Sequence, residues 1–140
     1  MSTSERGPIT VFCVDDNARF RGVVRTLIDG TPGLTLIGEA ACGEDAIAAV
    51  GTLQPDLILM DVRMPGVGGI EATRVLLGSH PDLLVMLMSA EELQPLLVIA
   101  TSDSRVVFVR KDRLCGRVLL EPWRAGRTLC APNWVPVWLG

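Results

Sequence analysis

Short apolar runs that stop abruptly on a charged or hydroxyl-bearing residue recur along this 140-residue chain. Residues 9–14 end at Asp15 and Asp16, 57–60 at Asp61, 83–88 at Ser89, and 106–109 at Arg110 and Lys111. A further run, 34–40, follows the breaker Thr31-Pro32-Gly33. Between the runs lie helix-length segments. Residues 19–28 place Phe20, Val23, Val24, Leu27 and Ile28 at helical spacing, which predicts one buried face. Residues 44–53 are bounded by Gly43 and Pro55, and 69–77 lie between the turn Met64-Pro65-Gly66 and the stops Gly78 and Pro81. Apolar runs that do not alternate with polar residues are typical of strands buried on both faces. Five of them separated by helices predict an α/β, doubly wound, five-stranded parallel sheet.

Composition narrows the function. Hydrophobic residues make up 49% of the chain, enough for one folded domain. A net charge of −3 argues against broad capture of nucleic acid, which needs clustered positive charge. No apolar stretch is long enough to cross a membrane. Residues 1–8 are polar, read as a flexible N-terminus without a signal-peptide core, so a cytoplasmic location is expected. Cys13, Cys42, Cys115 and Cys130 are widely spaced, and His80 is the one histidine. That spacing fits neither a zinc site nor a disulfide scaffold, and buried, inert thiols are expected.

The run ends carry the chemistry. In an open parallel sheet, ligands bind in the crevice at the carboxyl ends of the strands. Asp15, Asp16, Asp61, Ser89 and Lys111 would share that rim. Three crowded carboxylates repel one another unless a cation joins them. A divalent metal together with one lysine would balance their charge. Hard oxygen donors favour Mg²⁺, and the outline is that of a phosphoryl-transfer site. The chain has twelve arginines and one lysine, Lys111. A compact ammonium placed there suggests a task that a planar guanidinium would perform badly. Taken singly, each residue has a plainer role. Asp16 or Asn17 could cap the next helix, Asp61 could be a solvated loop acid, Met64-Pro65-Gly66 could be a simple turn, and Phe108 an ordinary core residue.

With these motifs in register, the chain resembles a response-regulator receiver domain from about residue 9 to about 121. The matching segments are VDD at 14–16, DVRMPGVGG at 61–69, SA at 89–90 and FVRK at 108–111. Their separations also fit, with 28 residues from Asp61 to Ser89 and 22 from Ser89 to Lys111. The resemblance implies a flavodoxin-like sheet of order 2-1-3-4-5. Asp61 would then be the phosphoacceptor for a histidine kinase. Asp15, Asp16, Asp61 and the Arg63 backbone carbonyl would hold Mg²⁺, while Ser89 and Lys111 grip phosphoryl oxygens. Ser89 and Phe108 would form the switch. It would change protein contacts on the face made by strand four, segment 91–105, strand five and the last helix. Catalysis by the chain itself would be limited to self-phosphorylation from a donor and slow self-dephosphorylation, not enzymatic turnover.

Some features depart from that pattern. Asp112 after Lys111, with Pro65-Gly66, suits receivers that precede helix-turn-helix output domains. Yet residues 122–140 form a Pro- and Trp-containing tail with two arginines and no acid, where no recognition helix is expected. Direct nucleic-acid or membrane contact is therefore not expected. Pro122 should end or bend the last helix. Segment 91–105 contains Pro95, which suits a helix's first turn, followed by Leu96, Leu97, Val98 and Ile99. It is read as a mobile face or an apolar contact, leaving a homodimer open, with exchange of the C-terminal segment as one route. Arg63 and Glu91 are expected to pair over the phosphoryl group and slow its hydrolysis. Two competing functions remain. One is a degenerate receiver acting as a phosphorylation-independent scaffold, which the intact acids oppose. The other is an aspartyl phosphatase, which Arg63 opposes by occupying the position where a second aspartate would serve as acid/base.

Overall fold

The computed structural model describes residues 7–90 and 103–124. Residues 1–6, segment 91–102 with Pro95 and Glu91, and residues 125–140 with Cys130 lie outside the described part, as do the expectations placed on them. The strands are β1 (Ile9–Val14), β2 (Leu34–Ala40), β3 (Leu57–Asp61), β4 (Leu84–Ser89) and β5 (Val106–Arg110). The helices are α1 (Ala18–Asp29), α2 (Gly43–Leu53), α3 (Gly69–Ser79) and α4 (Gly116–Arg124), with a 3-10 turn over Lys111–Arg113. All strand pairs are parallel, in the order β2-β1-β3-β4-β5 expected from the sequence.

Helices cover both faces, which is why the strands are apolar throughout. On one face, Val11, Cys13, Leu59, Met86 and Val109 pack with Val24 and Ile28 of α1 and Val118 and Leu119 of α4. On the other, Phe12, Ile58, Met60, Leu87 and Phe108 pack with Ala46 and Val50 of α2 and Ala72 and Leu76 of α3. Burying such side chains contributes about 1.5–3 kcal/mol each, so the sheet interior dominates stability. A register shift between Val11 and Phe12 leaves a bulge in β2. There Gly38 makes room for Phe12, whose ring would lie 2.7 Å from a Cβ at that position.

Differences from the sequence expectation are local. β3 and β4 include their terminal polar residues, because Asp61 pairs with Met88 and Ser89 with Arg110 in the ladders. Val23 is 55% exposed, so the apolar face of α1 is narrower than its spacing predicts. Pro122 does not stop the last helix, which runs on to Arg124. The ring removes the bond to the Val118 carbonyl, but the helix ends soon afterwards. Pro122 is buried and Trp123 packs on the core. Residues 122–124 of the expected tail thus belong to α4. The thiols also need correction: Cys13 is buried, but Cys42 is partly exposed and Cys115 exposed, all three free. Helix and turn geometry sets those exposures, which residue spacing alone does not report.

Candidate functional site

The site forms where β1, β3, β4 and β5 end. Asp15 follows β1, and its amide donates to the Ala40 carbonyl at 3.1 Å, tying it to β2. Its Oδ1 accepts the Asn17 amide at 2.8 Å. Asn17 in turn is the N-cap of α1, accepting the amides of Arg19 and Phe20 at 3.0 and 3.3 Å. Asn17, not Asp16, therefore supplies the cap, and the exposed Asp16 has no helix-capping role. Arg21 reaches back from α1 and donates to the Asp15 carbonyl at 2.6 Å. Arg21 is fixed by Glu39 of β2 at 3.3 Å, and Arg25 grips the same carboxylate at 2.8 and 2.9 Å.

Asp61 ends β3, with a side chain only 8% exposed. Its Oδ1 accepts the Arg63 amide at 3.3 Å. Gly69, at the start of α3, lies so close that a Cβ there would overlap the Asp61 carbonyl oxygen. The glycine lets the loop from 62 to 68 fold back over the strand end, with the Gly69 amide donating to the Val62 carbonyl at 3.1 Å. The Lys111 ammonium, carried into the rim just after β5, lies 2.7 Å from Asp15 Oδ2 and 3.5 Å from Asp61 Oδ2. Ser89 is buried at the end of β4, next to the residue that pairs with Asp61. Phe108 is buried opposite Leu87, and the Arg63 side chain is exposed.

The electrostatics are unbalanced. Carboxylate oxygens of Asp15, Asp16 and Asp61 lie within 4.8 Å of one another. Burial, then the Asp15 charge, pushes the Asp61 carboxyl up to about 6, with Lys111 and the Arg63 amide opposing. Asp15 Oδ2 is buried and, among the described residues, has the Lys111 ammonium as its partner at 2.7 Å. A buried carboxylate oxygen in that state retains acceptor capacity that a cation can take up. Three hard oxygen donors, with no thiol or imidazole among the grouped residues, fit Mg²⁺.

The sequence-predicted acids and Lys111 thus come together on one rim. Sequence reasoning missed Phe20 and Arg21. Phe20 fitted the helical period of α1, so it looked like core, yet its ring centroid lies 4.5 Å from the Lys111 ammonium. Arg21 was one arginine among twelve, and nothing in its spacing signalled a bond to the Asp15 backbone.

Comparison with known proteins identifies relatives of this chain. The chain is 48% identical over 88 residues to the response regulator GacA of Pseudomonas aeruginosa, covering 62% of this chain and 41% of that protein. It is 39% identical over 88 residues to the response regulator UvrY of Escherichia coli, covering 63% and 40% respectively. The chain therefore spans less than half the length of these curated relatives. The solved response regulator domain of Thermotoga maritima CheB superposes with a TM-score of 0.67 at 29% identity, covering 92% of this chain and 99% of that one. The family model for the response regulator receiver domain matches residues 11–116. On that match, and on the fold and rim just described, the chain belongs to the response regulator receiver domain family of two-component signalling proteins.

Proposed function

We propose that this chain is a phosphoacceptor module that takes a phosphoryl group from a histidine kinase onto Asp61 and passes the signal on through protein contacts. The observation that carries the reading is the convergence of Asp15, Asp16, Asp61 and Lys111 on one rim. Phosphoryl transfer asks the protein mainly for positioning and charge neutralisation. A carboxylate oxygen of Asp61 attacks the phosphorus of the donor phosphohistidine. The P–N bond breaks, and the imidazole leaves with the electron pair. The Asp61 carboxyl, pushed up to about 6, is mostly ionised at neutral pH and so able to attack. Mg²⁺ held by Asp15, Asp16, Asp61 and the Arg63 carbonyl would neutralise charge on the transferred group. Lys111 and Ser89 bind the phosphoryl oxygens, and the small, exposed Ala90 leaves the donor room to approach.

The new phosphoryl group adds negative charge and acceptor oxygens. Ser89 and Lys111 are drawn towards it, and the buried Phe108 on β5 responds, altering the surface around β4, β5 and α4. The activity is self-phosphorylation and slow self-dephosphorylation rather than turnover. Incubation with acetyl phosphate and Mg²⁺, followed by intact-mass measurement, tests the reading. A stable phospho-adduct that is absent in Asp61→Asn is expected. No adduct on the parent would leave a scaffold role, and rapid phosphate release a phosphatase.

A further inference from the structure

Lys111 has a third neighbour besides the two acids. The Phe20 ring, on the first turn of α1, faces its ammonium at 4.5 Å. The ammonium thus sits between a carboxylate and an aromatic face, and its side chain is only 16% exposed. Its nearest carboxylate oxygen among the described residues is the buried Asp15 Oδ2, at 2.7 Å. That same oxygen belongs to a carboxylate of the cluster able to hold a metal. Lysine and a divalent cation therefore compete for Asp15. Asp61 Oδ2, 3.5 Å from the ammonium, is the alternative partner.

We propose that Phe20 is a positioning residue that parks the Lys111 ammonium on Asp15, so that a divalent cation entering the cluster must displace it towards Asp61. The inference rests on the cation-binding reading above and extends it. The ring face attracts the ammonium and keeps water from one side of the ion pair, and both effects strengthen the lysine's hold on Asp15. Phe20 is itself well placed for this task. Its amide is held by the Asn17 cap at 3.3 Å, and its side chain packs against the core face shared with Val24 and Ile28. An aliphatic residue would fill much of the same space without the aromatic quadrupole.

The test is an NMR titration of the 140-residue chain with MgCl2, reading the Arg63 amide that donates to Asp61 Oδ1. Phe20→Leu should bind Mg²⁺ about threefold to tenfold more tightly than the parent, in line with the strength of partly buried cation–π contacts. Phe20→Tyr, which keeps the ring, should match the parent. In a Lys111→Met background, Phe20→Leu should leave the Mg²⁺ midpoint unchanged, an outcome that a merely structural role would not give. If Phe20→Leu does not fold, Phe20→Met serves in its place. Parental Mg²⁺ affinity in the aliphatic variant, or an effect that persists without the lysine, overturns the inference while leaving the cation site intact. A parent that does not respond to MgCl2 overturns the cation reading, and this inference with it.

Discussion

The two edges of the sheet both carry buried or half-buried acids, yet they treat them in opposite ways. At the edge where the strands begin, Asp56 Oδ2 accepts the Thr10 amide and hydroxyl at 2.9 and 3.1 Å, and its own amide donates back to Thr10 Oγ1 at 3.0 Å. Nearby, Asp103 takes two guanidinium donors from Arg105 at 2.7 and 3.0 Å and the Arg105 amide at 2.8 Å. The same guanidinium donates to the Leu77 and Pro81 carbonyls at 3.2 and 3.1 Å, closing the end of α3. Hydrogen bonding to Arg105 holds the Asp103 carboxyl below the usual carboxylate range. At the edge where the strands end, three acids cluster around an ammonium that contacts two of them, Asp15 and Asp61, and Asp61 is pushed up to about 6. An acid that ties the fold together is surrounded by donors from the chain. The rim acids meet fewer donors from the chain, so their charge is less fully compensated.

The sharpest way to break this contrast is to neutralise one acid at each edge. Asp61→Asn should abolish the phospho-adduct from acetyl phosphate altogether. Asp56→Asn should leave the adduct in place and lower stability by about 1–2 kcal/mol, the cost of a weakened, partly buried hydrogen-bond pair. Intact mass and urea unfolding read the two effects separately. Next in size is Gly69→Ala, whose added methyl collides with the Asp61 carbonyl. A loss of about 2 kcal/mol in urea unfolding is expected, with slower adduct formation as the Asp61 loop shifts.

Acid dependence should sharpen the contrast further, because the two edges have opposite signs. The Asp61 carboxyl rises from 3.8 to about 6 on folding, so the folded chain binds the extra proton between those values. Metal-free stability should therefore fall as pH rises through that window. Asp61→Asn should raise the urea midpoint at pH 7, and the gain should vanish as pH falls towards 4. Asp103 is lowered on folding, so its contribution is present above 3.8 and lost as pH falls through the folded value. Arg105→Ala should cost most near neutrality and less in acid, with a residual loss from the Leu77 and Pro81 carbonyls. The smallest effect is expected from Val23→Ser on the exposed side of α1, within about 0.5 kcal/mol by urea unfolding. A large loss there would mean that α1 is covered in solution.

Much of the architecture was legible because burial on both faces leaves a plain mark. Strands β1, β3 and β4 read as unbroken apolar runs, and their polar stops pointed to one rim. Other features were hidden because one residue type serves two ends. Phe20 obeys the helical period whether it packs under α1 or faces an ammonium. Asp16 and Asn17 were equal candidates for the cap until the distances separated them. Pro122 looked like a stop, but a short last helix tolerates one missing bond when Pro122 and Trp123 gain burial. Val23 followed the period yet stayed exposed, because α1 meets the sheet along a narrower stripe than an ideal amphipathic helix presents.

By itself, the sequence determined which residues are strands, which acids end them, and that a solitary lysine follows the fifth. Periodicity and residue type depend on local chemistry, so a linear reading reaches them. Only the tertiary structure decided that the lysine rests on Asp15 rather than Asp61, that an arginine six residues away holds the Asp15 backbone, and that an aromatic ring covers the ammonium. Those choices depend on angstrom differences between elements distant in the chain. Electrostatic energy varies with just such distances and with the water excluded around them.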